Sequence, residues 1–360
     1  MKIAVLGAGN GGCAVAADLS LKGHLVTLIK TSNSMHNENF EYLSQSNGEI
    51  RLLEDGQVFS TNIFEVTRDL GKISDVELII IYIQTGYHKE LIKKISPYVK
   101  DGQIILINPG YLSTAYVLEY CSDKDISIVE ATSSFIDCRI DEENENYGLI
   151  KVGFRNARNL VSVYPKLKLE DTKQKLESLQ YNLHYMSTVE IALHNPNLIV
   201  HTVGAIMSIP RIEKTKGDYC MYWEVWTPSV WNILEKLDAE KMDVIEKLGG
   251  KRMPYVEACK FRNTLDDERD AKEIFFWYAN MPTRAKGPVV VDSRYISEDV
   301  PEGLVMLEAL GKHLNIATPI CTSLIEIASV ALGRDLRVQG RTTDKLGLGN
   351  IKKIVSDTIG

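Results

Sequence analysis

The chain has 360 residues, 44% hydrophobic and 25% charged, the profile of an ordinary globular protein rather than a disordered or fibrous one. A length well beyond the roughly 100–200 residues of one domain predicts two, sharing a cleft. A formal net charge of −7 argues against a nucleic-acid backbone or an anionic membrane surface as the main partner, because both reward basic surface.

No apolar run reaches the ~20 residues that span a bilayer. Met1 to Leu6 enter a glycine turn too soon to form a signal-peptide core, so a cytoplasmic protein is expected. Cys13, Cys121, Cys138, Cys220, Cys259 and Cys321 form no Cys-x-x-Cys pair and read as buried thiols in a reducing compartment.

In chain order, the candidate strands are Ile3–Leu6, Leu25–Ile29, Leu78–Ile83, Ile104–Ile107 and Ile126–Glu130. Several are apolar at nearly every position, as central parallel strands buried on both faces must be. A helix over His88–Tyr98 follows the third. Strands alternating with helices predict an α/β fold, a doubly wound parallel Rossmann sheet over residues 1–188. The acidic patch Asp141–Glu145 reads as a solvated loop.

Beyond residue 188 the periodicity turns helical over Glu190–Ile209, Trp231–Leu248, Val300–Leu314 and Thr322–Leu332. Val289-Val290-Val291 is the main strand-like exception. Residues 189–360 are therefore expected to form an all-α substrate and catalytic domain.

The first strand runs into Gly7-Ala8-Gly9-Asn10-Gly11-Gly12 and then an Ala-rich helix ending at Gly23. This Gly-x-Gly-x-x-Gly lies where a dinucleotide pyrophosphate would meet a helix N-terminus. Gly7 permits the tight turn, Gly9 lets the backbone approach the phosphates, and Gly12 allows close helix-on-strand packing. Gly7, Gly9, Asn10, Gly11 and Gly12 are thus candidate cofactor contacts; a glycine turn that binds nothing is the alternative, and its place in a βαβ unit disfavours that.

Where an NAD enzyme carries an acid after its second strand, this chain has Lys30-Thr31-Ser32-Asn33-Ser34. An ammonium and two hydroxyls can satisfy a 2′-phosphate that a carboxylate would repel. Lys30, Thr31 and Ser32 are therefore expected to favour NADP, with NAD also usable.

In the helical half, Asn197 and His201 stand four apart on one face. An imidazole suits a reduction in which a proton accompanies the hydride; a core histidine satisfied by a carbonyl is the alternative. His194, seven positions earlier, suggests a metal pair, but no further ligand joins it at suitable spacing and no metal is expected.

Asp292 to Gly303 place Arg294 and several acids before an apolar helix. Arg294 could clamp a substrate carboxylate while Asp299 holds His201 in its imidazolium form; Asp299 could equally cap the helix. Trp223, Trp226, Trp231, Tyr219 and Tyr222 read first as core and second as a side-chain pocket.

From these residues alone, a 2-hydroxyacid or polyol-phosphate dehydrogenase and a non-catalytic NADP(H) sensor stay open. With Gly7–Gly12, His88 through Asn108-Pro109-Gly110, Asn197 with His201, Arg294-Tyr295 with Glu298–Gly303, and Gly340-Arg341-Thr342 with Leu346-Gly347-Leu348 in view, the chain resembles the opine dehydrogenases, the octopine and nopaline dehydrogenase family, over most of its length. The resemblance implies NAD(P)H-dependent reductive condensation of an amino acid with a 2-oxo acid such as pyruvate or 2-oxoglutarate, through an imine, to a secondary-amine dicarboxylate. It implies acid–base chemistry at His201, orientation of that histidine by Asp299, and substrate binding at Arg294. Gln84-Thr85 departs from the family's usual Pro-Ala pair after the fourth strand, and the acid after the second strand is missing. The partners implied are small molecules; a homodimer is allowed by the sequence and not required by it.

Overall fold

The apolar runs become the middle of a sheet in the computed structural model, which describes residues 1–142, 145–284 and 286–359. The chain divides between Tyr185 and Met186 into two units.

The first unit runs β1 (Lys2–Leu6), α1 (Asn10–Leu21), β2 (Leu25–Ile29), α2 (Asn37–Gln45), β3 (Glu49–Glu54), β4 (Gln57–Asn62), β5 (Glu65–Thr67), β6 (Leu78–Ile81), α3 (His88–Ile95), β7 (Ile104–Ile107), α4 (Thr114–Tyr120), β8 (Ser127–Ala131), β9 (Ile136–Ile140), β10 (Leu149–Arg155), β11 (Asn159–Tyr164), α5 (Leu169–Leu176) and β12 (Leu183–Tyr185). Eight strands form one sheet in the order β12-β11-β8-β7-β6-β1-β2-β5. Every neighbouring pair is parallel except β8 with β11, which is antiparallel. This is the doubly wound Rossmann sheet the sequence predicts.

A second sheet, β4-β3-β10-β9, is absent from the sequence reading. It packs on the far side of α1, which explains why Gly12 to Leu19 are all buried. A helix sandwiched between two sheets has no polar face to keep, and alanine and glycine let both approach closely. One charge inside this sandwich, Asp18, accepts from Arg155 Nη1 at 2.8 Å and Tyr181 OH at 2.7 Å and pairs with Lys22. Burial pushes its carboxyl up, but these donors outweigh burial and hold it below the ordinary carboxylate value.

The acidic patch is a correction. Asp141 is buried and bonded to Lys151 Nζ at 2.7 Å, and Glu142 meets His36 Nδ1 at 2.8 Å. Opposite charges reaching in from neighbouring segments, invisible in a local reading, recruit both acids. Glu143 and Asn144 of that patch lie outside the described residues.

The second unit continues with α6 (Thr188–Leu193), α7 (Pro196–Met207), α8 (Ile209–Thr215), α9 (Met221–Glu224), α10 (Pro228–Lys247), α11 (Tyr255–Asn263), α12 (Ala271–Ala279), α13 (Arg294–Ser297), a π-helical turn Val300–Leu304, α14 (Val305–His313), α15 (Pro319–Leu332), α16 (Leu336–Gln339), α17 (Thr343–Leu346) and α18 (Leu348–Ile359). No strand occurs among its described residues. Val289-Val290-Val291 is a bent segment with Val289 and Val290 exposed: a β-branched run makes no strand where no partner edge is offered.

The single helix expected over Glu190–Ile209 is three. A capping box between Ser187 and Glu190 starts α6. Asn195 then caps α7 through Oδ1 to the Asn197 N–H at 2.9 Å, with Pro196 at the first helical position. The last segments brace the π-turn: Arg341 is buried, pairs with Glu302, and donates its backbone N–H to Pro301 O at 2.9 Å. A Cβ on Gly340 would lie 2.4 Å from Val305 Cγ1.

Glu308 on α14 accepts from Arg337 Nε at 2.7 Å, Arg337 Nη2 at 2.8 Å and Thr322 Oγ1 at 2.8 Å. Chiefly through Arg337, these donors pull its carboxyl down to about 2. Because the folded value lies below the unfolded one, the stabilisation is complete above an ordinary carboxylate pKa of ~4.3 and lost as pH falls toward the folded value. Glu308→Gln is expected to cost about 2 kcal/mol at pH 7, lowering Tm by roughly 4–8 °C. Thermal unfolding from pH 7 to 3 should show the gap to wild type narrowing as acid is added, and a constant gap would contradict the assignment.

Candidate functional site

In the first unit the glycine turn is shaped by close approach. Gly7 has φ +117°, donates its N–H to Ile29 O at 2.8 Å, and a Cβ there would lie 2.1 Å from Tyr82 O. A Cβ on Gly12 would lie 1.7 Å from Gly7 O, and one on Gly11 would lie 2.9 Å from the Tyr82 ring. Above Gly9 the nearest atom to an added Cβ is His36 Cδ2 at 3.5 Å, so space remains where the backbone is barest. The first-turn N–H groups of the 12-residue α1 lack intrahelical partners and carry the positive end of its dipole. This cradle fits the pyrophosphate of a dinucleotide.

Two expected cofactor contacts are placed differently. Asn10 Oδ1 accepts from Ile140 N at 2.8 Å, tying the turn to the second sheet, so its side chain is committed to the fold. Lys30 is buried, and its ammonium donates to the carbonyls of Met35 and His36; burial also lowers its pKa. A turned-in lysine satisfies a loop whose carbonyls need donors and does not project from it. Thr31 and Ser32 remain partly or fully exposed on that loop.

The cation that stands beside the loop is Arg68, which the sequence reading missed. It donates to Ser32 O at 3.2 Å and Asn33 Oδ1 at 2.6 Å, with its Cζ 4.6 Å from the Phe40 ring centre. It follows β5, a three-residue edge strand too short to signal itself.

At the carboxyl ends of β6, β7 and β8, Asn108 Nδ2 donates to Tyr82 OH at 2.9 Å, and buried Glu130 accepts from the N–H groups of Leu112 and Thr114. His88 Nδ1 and Ser113 Oγ are 2.8 Å apart. The Asn-Pro-Gly stretch is thus fastened at the sheet edge where doubly wound folds bind ligands.

In the second unit α7 is apolar over most of its surface, and His201 stands half-buried on it. His201 Nδ1 lies 2.8 Å from Asp299 Oδ2, across 98 residues of sequence. Asp299 is 1% exposed and, although it begins the π-turn, its side chain makes no capping hydrogen bond. An ionised carboxylate only accepts, so the bond places the proton on Nδ1 and leaves Nε2 as the nitrogen able to take or give a proton. The Tyr295 ring stacks on the imidazole, with centroids 3.9 Å apart at an interplanar angle of 12°. Ring plane and tautomer are both fixed.

No local spacing marks Tyr295 for this contact, which only the tertiary fold creates. Four-residue spacing on α13 places Arg294 Nε 3.1 Å from buried Glu298 Oε2, with about half of the arginine side chain exposed. Asn197, one turn before His201, is half-buried, and its side chain makes no hydrogen bond among the described residues.

His194 does not share a helix face with His201, because α6 ends at His194. Burial and the nearby Lys241 charge push its pKa down to about 3, so it is a neutral core imidazole. Among the described residues no three His, Cys, Asp or Glu side chains are grouped to hold a metal. Trp226 and Trp231 pack edge-on with Phe275 as core, whereas Trp223 is exposed. All six cysteines are buried free thiols, and no described helix is long and apolar enough to cross a membrane.

Residues 184–332 match the family model of the NAD/NADP octopine/nopaline dehydrogenase α-helical domain, and residues 3–129 match that of the ketopantoate reductases PanE/ApbA. The chain is 30% identical to an opine dehydrogenase of Arthrobacter sp. (strain 1C), covering 97% of this chain and 95% of that one. It is 23% identical to a vitopine synthase of Allorhizobium ampelinum, covering 97% and 96%. Its fold is similar to that of an octopine dehydrogenase solved with NADH and agmatine, at TM-score 0.76, 16% identity and coverage of 99% and 98%. It is also similar to a yersinopine dehydrogenase with bound NADP+, at TM-score 0.71, 12% identity and the same coverage.

Proposed function

This chain belongs to the opine dehydrogenase family, and from that premise we propose that it condenses an amino acid with a 2-oxo acid, of the pyruvate or 2-oxoglutarate type, and reduces the product. It is an NAD(P)-dependent oxidoreductase. The amine nitrogen attacks the keto carbon, water leaves, and an imine forms between the two substrates. The bound nicotinamide supplies the hydride that converts this imine to a secondary-amine dicarboxylate.

The residues of the chain manage protons and charge. Asp299 accepts from Nδ1 of His201, so Nε2 takes a proton from the attacking amine and returns one to the departing hydroxyl. Tyr295 holds the imidazole plane. Asn197 offers a carboxamide to the same substrate, and Arg294 binds a substrate carboxylate. The observation that carries this reading is the 2.8 Å bond between His201 and buried Asp299, a pair with no structural need to be ionisable in so apolar a helix.

NADPH is the preferred reductant and NADH an accepted one. The loop from Lys30 to His36 has no carboxylate to repel a 2′-phosphate, Thr31 and Ser32 offer hydroxyls, and Arg68 brings a guanidinium to the loop. Comparing kcat/KM for the two cofactors tests this, and a clear preference for NADH would sink it.

The reaction is tested by following NADPH oxidation with pyruvate or 2-oxoglutarate against a panel of amino acids. Oxidation that depends on both substrates is expected; oxidation with the oxo acid alone would instead mark a hydroxyacid dehydrogenase. Arg294→Ala is expected to raise the KM of the carboxylate substrate by about 10–10²-fold, the value of a lost charge-assisted contact. NADPH affinity should stay within about twofold, a change too small to represent a lost contact, and an equal loss of both would contradict the assigned role.

A further inference from the structure

The loop between β2 and α2 ends on a residue whose local role does not explain it. His36 stands at the N-cap of α2 in the left-handed conformation, φ 55° and ψ 37°, and its side chain makes no capping hydrogen bond. Left-handed backbone disfavours a residue with a Cβ and is easiest for glycine or asparagine, while N-caps favour Asn, Asp, Ser and Thr, whose oxygens reach the first N–H groups of the helix. Histidine at position 36 therefore forgoes a cap that asparagine would supply from the same backbone.

Its ring lies beside the glycine turn instead. Nδ1 is 2.8 Å from Oε1 of Glu142, which reaches in from the chain after β9. A Cβ on Gly9 would lie 3.5 Å from Cδ2 and 3.9 Å from Nε2, so the other edge of the ring borders the backbone where space for the phosphates remains. Nε2 has no hydrogen-bond partner among the described residues. The ammonium of Lys30 donates to the carbonyls of Met35 and His36 and so fixes the backbone that carries the ring. Held from two sides, the imidazole is open at the third.

A latch between the loop and the second sheet would need only the Nδ1 contact. Presenting Nε2 to the barest part of a phosphate cradle is what an anion contact requires. With both ring nitrogens protonated, Nδ1 donates to the carboxylate and Nε2 to a phosphate oxygen, and the imidazolium lies between two negative groups.

We propose that His36 contacts the pyrophosphate of the bound dinucleotide through Nε2. The inference rests on the nicotinamide-cofactor reading of the glycine turn and adds a residue to it. The pyrophosphate is common to NADPH and NADH, so the contact serves both and is separate from the groups offered to a 2′-phosphate by Thr31, Ser32 and Arg68.

Fluorescence titration of His36→Asn with NADPH and with NADH tests this without turnover. Asparagine suits both the left-handed backbone and the cap, so local structure is kept while the imidazole goes. Kd is expected to rise about tenfold for both dinucleotides, the value of one charge-assisted hydrogen bond, and their ratio to stay within about twofold of wild type. ADP, which carries the pyrophosphate without the nicotinamide, should lose the same factor in competition with NADH; an undiminished affinity for ADP counts against the contact.

Unchanged Kd for both dinucleotides overturns the contact and leaves the cofactor site standing. A loss confined to NADPH moves His36 to the 2′-phosphate and overturns the pyrophosphate assignment. If the wild-type protein binds neither dinucleotide, the glycine turn is no cofactor site and the contact fails with it. Should His36→Asn fail to fold, His36→Gln, whose amide can still donate to Glu142 but carries no charge, is expected to show the same equal loss; wild-type binding there counts against the contact.

Discussion

Replacing His201 by alanine is expected to lower kcat on the order of 10²–10⁴-fold, the usual share of general acid–base catalysis. α7 is a largely apolar helix, and at its half-buried position 201 the imidazole has its Nδ1 on a buried carboxylate and its face against Tyr295. Alanine removes the proton carrier and also takes from buried Asp299 its bond to the imidazole, which costs stability in its own right. His201→Gln separates the two effects, because its amide still donates to Asp299 but cannot carry a proton. Both variants should lose turnover to a similar extent while binding NADPH as wild type does in a fluorescence titration. Activity within a factor of about ten of wild type in His201→Gln, less than the smallest effect of removing a general acid–base group, would remove the histidine from the chemistry.

The pattern of what the sequence revealed follows from how each feature is encoded. The central strands were legible because burial on both faces demands an unbroken apolar run, as in Leu78–Ile81 and Ile104–Ile107. The second sheet was not, because its edge strand Gln57–Asn62 is almost wholly exposed and carries no alternation. Its signature was indirect: the absence of any polar stripe on α1. The break between α6 and α7 was written in Asn195-Pro196, a helix start signal overridden by the apolar run around it.

The candidate site divides the same way. Glycine spacing declares itself locally, since the constraint is a clash with neighbouring backbone. His201 and Asp299 meet only through tertiary packing, so their pairing entered the sequence reading as one option beside a helix cap, and the absence of any capping bond at Asp299 removes that option. For Lys30 the charge was legible and its direction was not: whether a lysine turns out to a ligand or in to loose carbonyls depends on the path of the following loop.

Asp299→Asn should be nearly as damaging as loss of the histidine itself, lowering kcat by roughly 10²–10⁴ with little change in NADPH binding. The substitution keeps size and shape, so packing at this buried position is preserved. What changes is the proton inventory. A carboxylate can only accept, which forces the Nδ1–H tautomer and leaves Nε2 with a lone pair for the amine proton. A carboxamide can turn its NH2 toward Nδ1, and the ring then carries its proton on Nε2, where it blocks proton uptake. Any imidazolium formed during turnover also loses the negative charge that stabilises it. Asp299→Glu, which keeps the charge but moves it by one methylene, should recover part of the rate if orientation and charge both matter, and none if the residue serves only to fill space. An asparagine variant with wild-type kcat would show that Asp299 does not act through His201, and the pair would then have to be read as a buried structural contact.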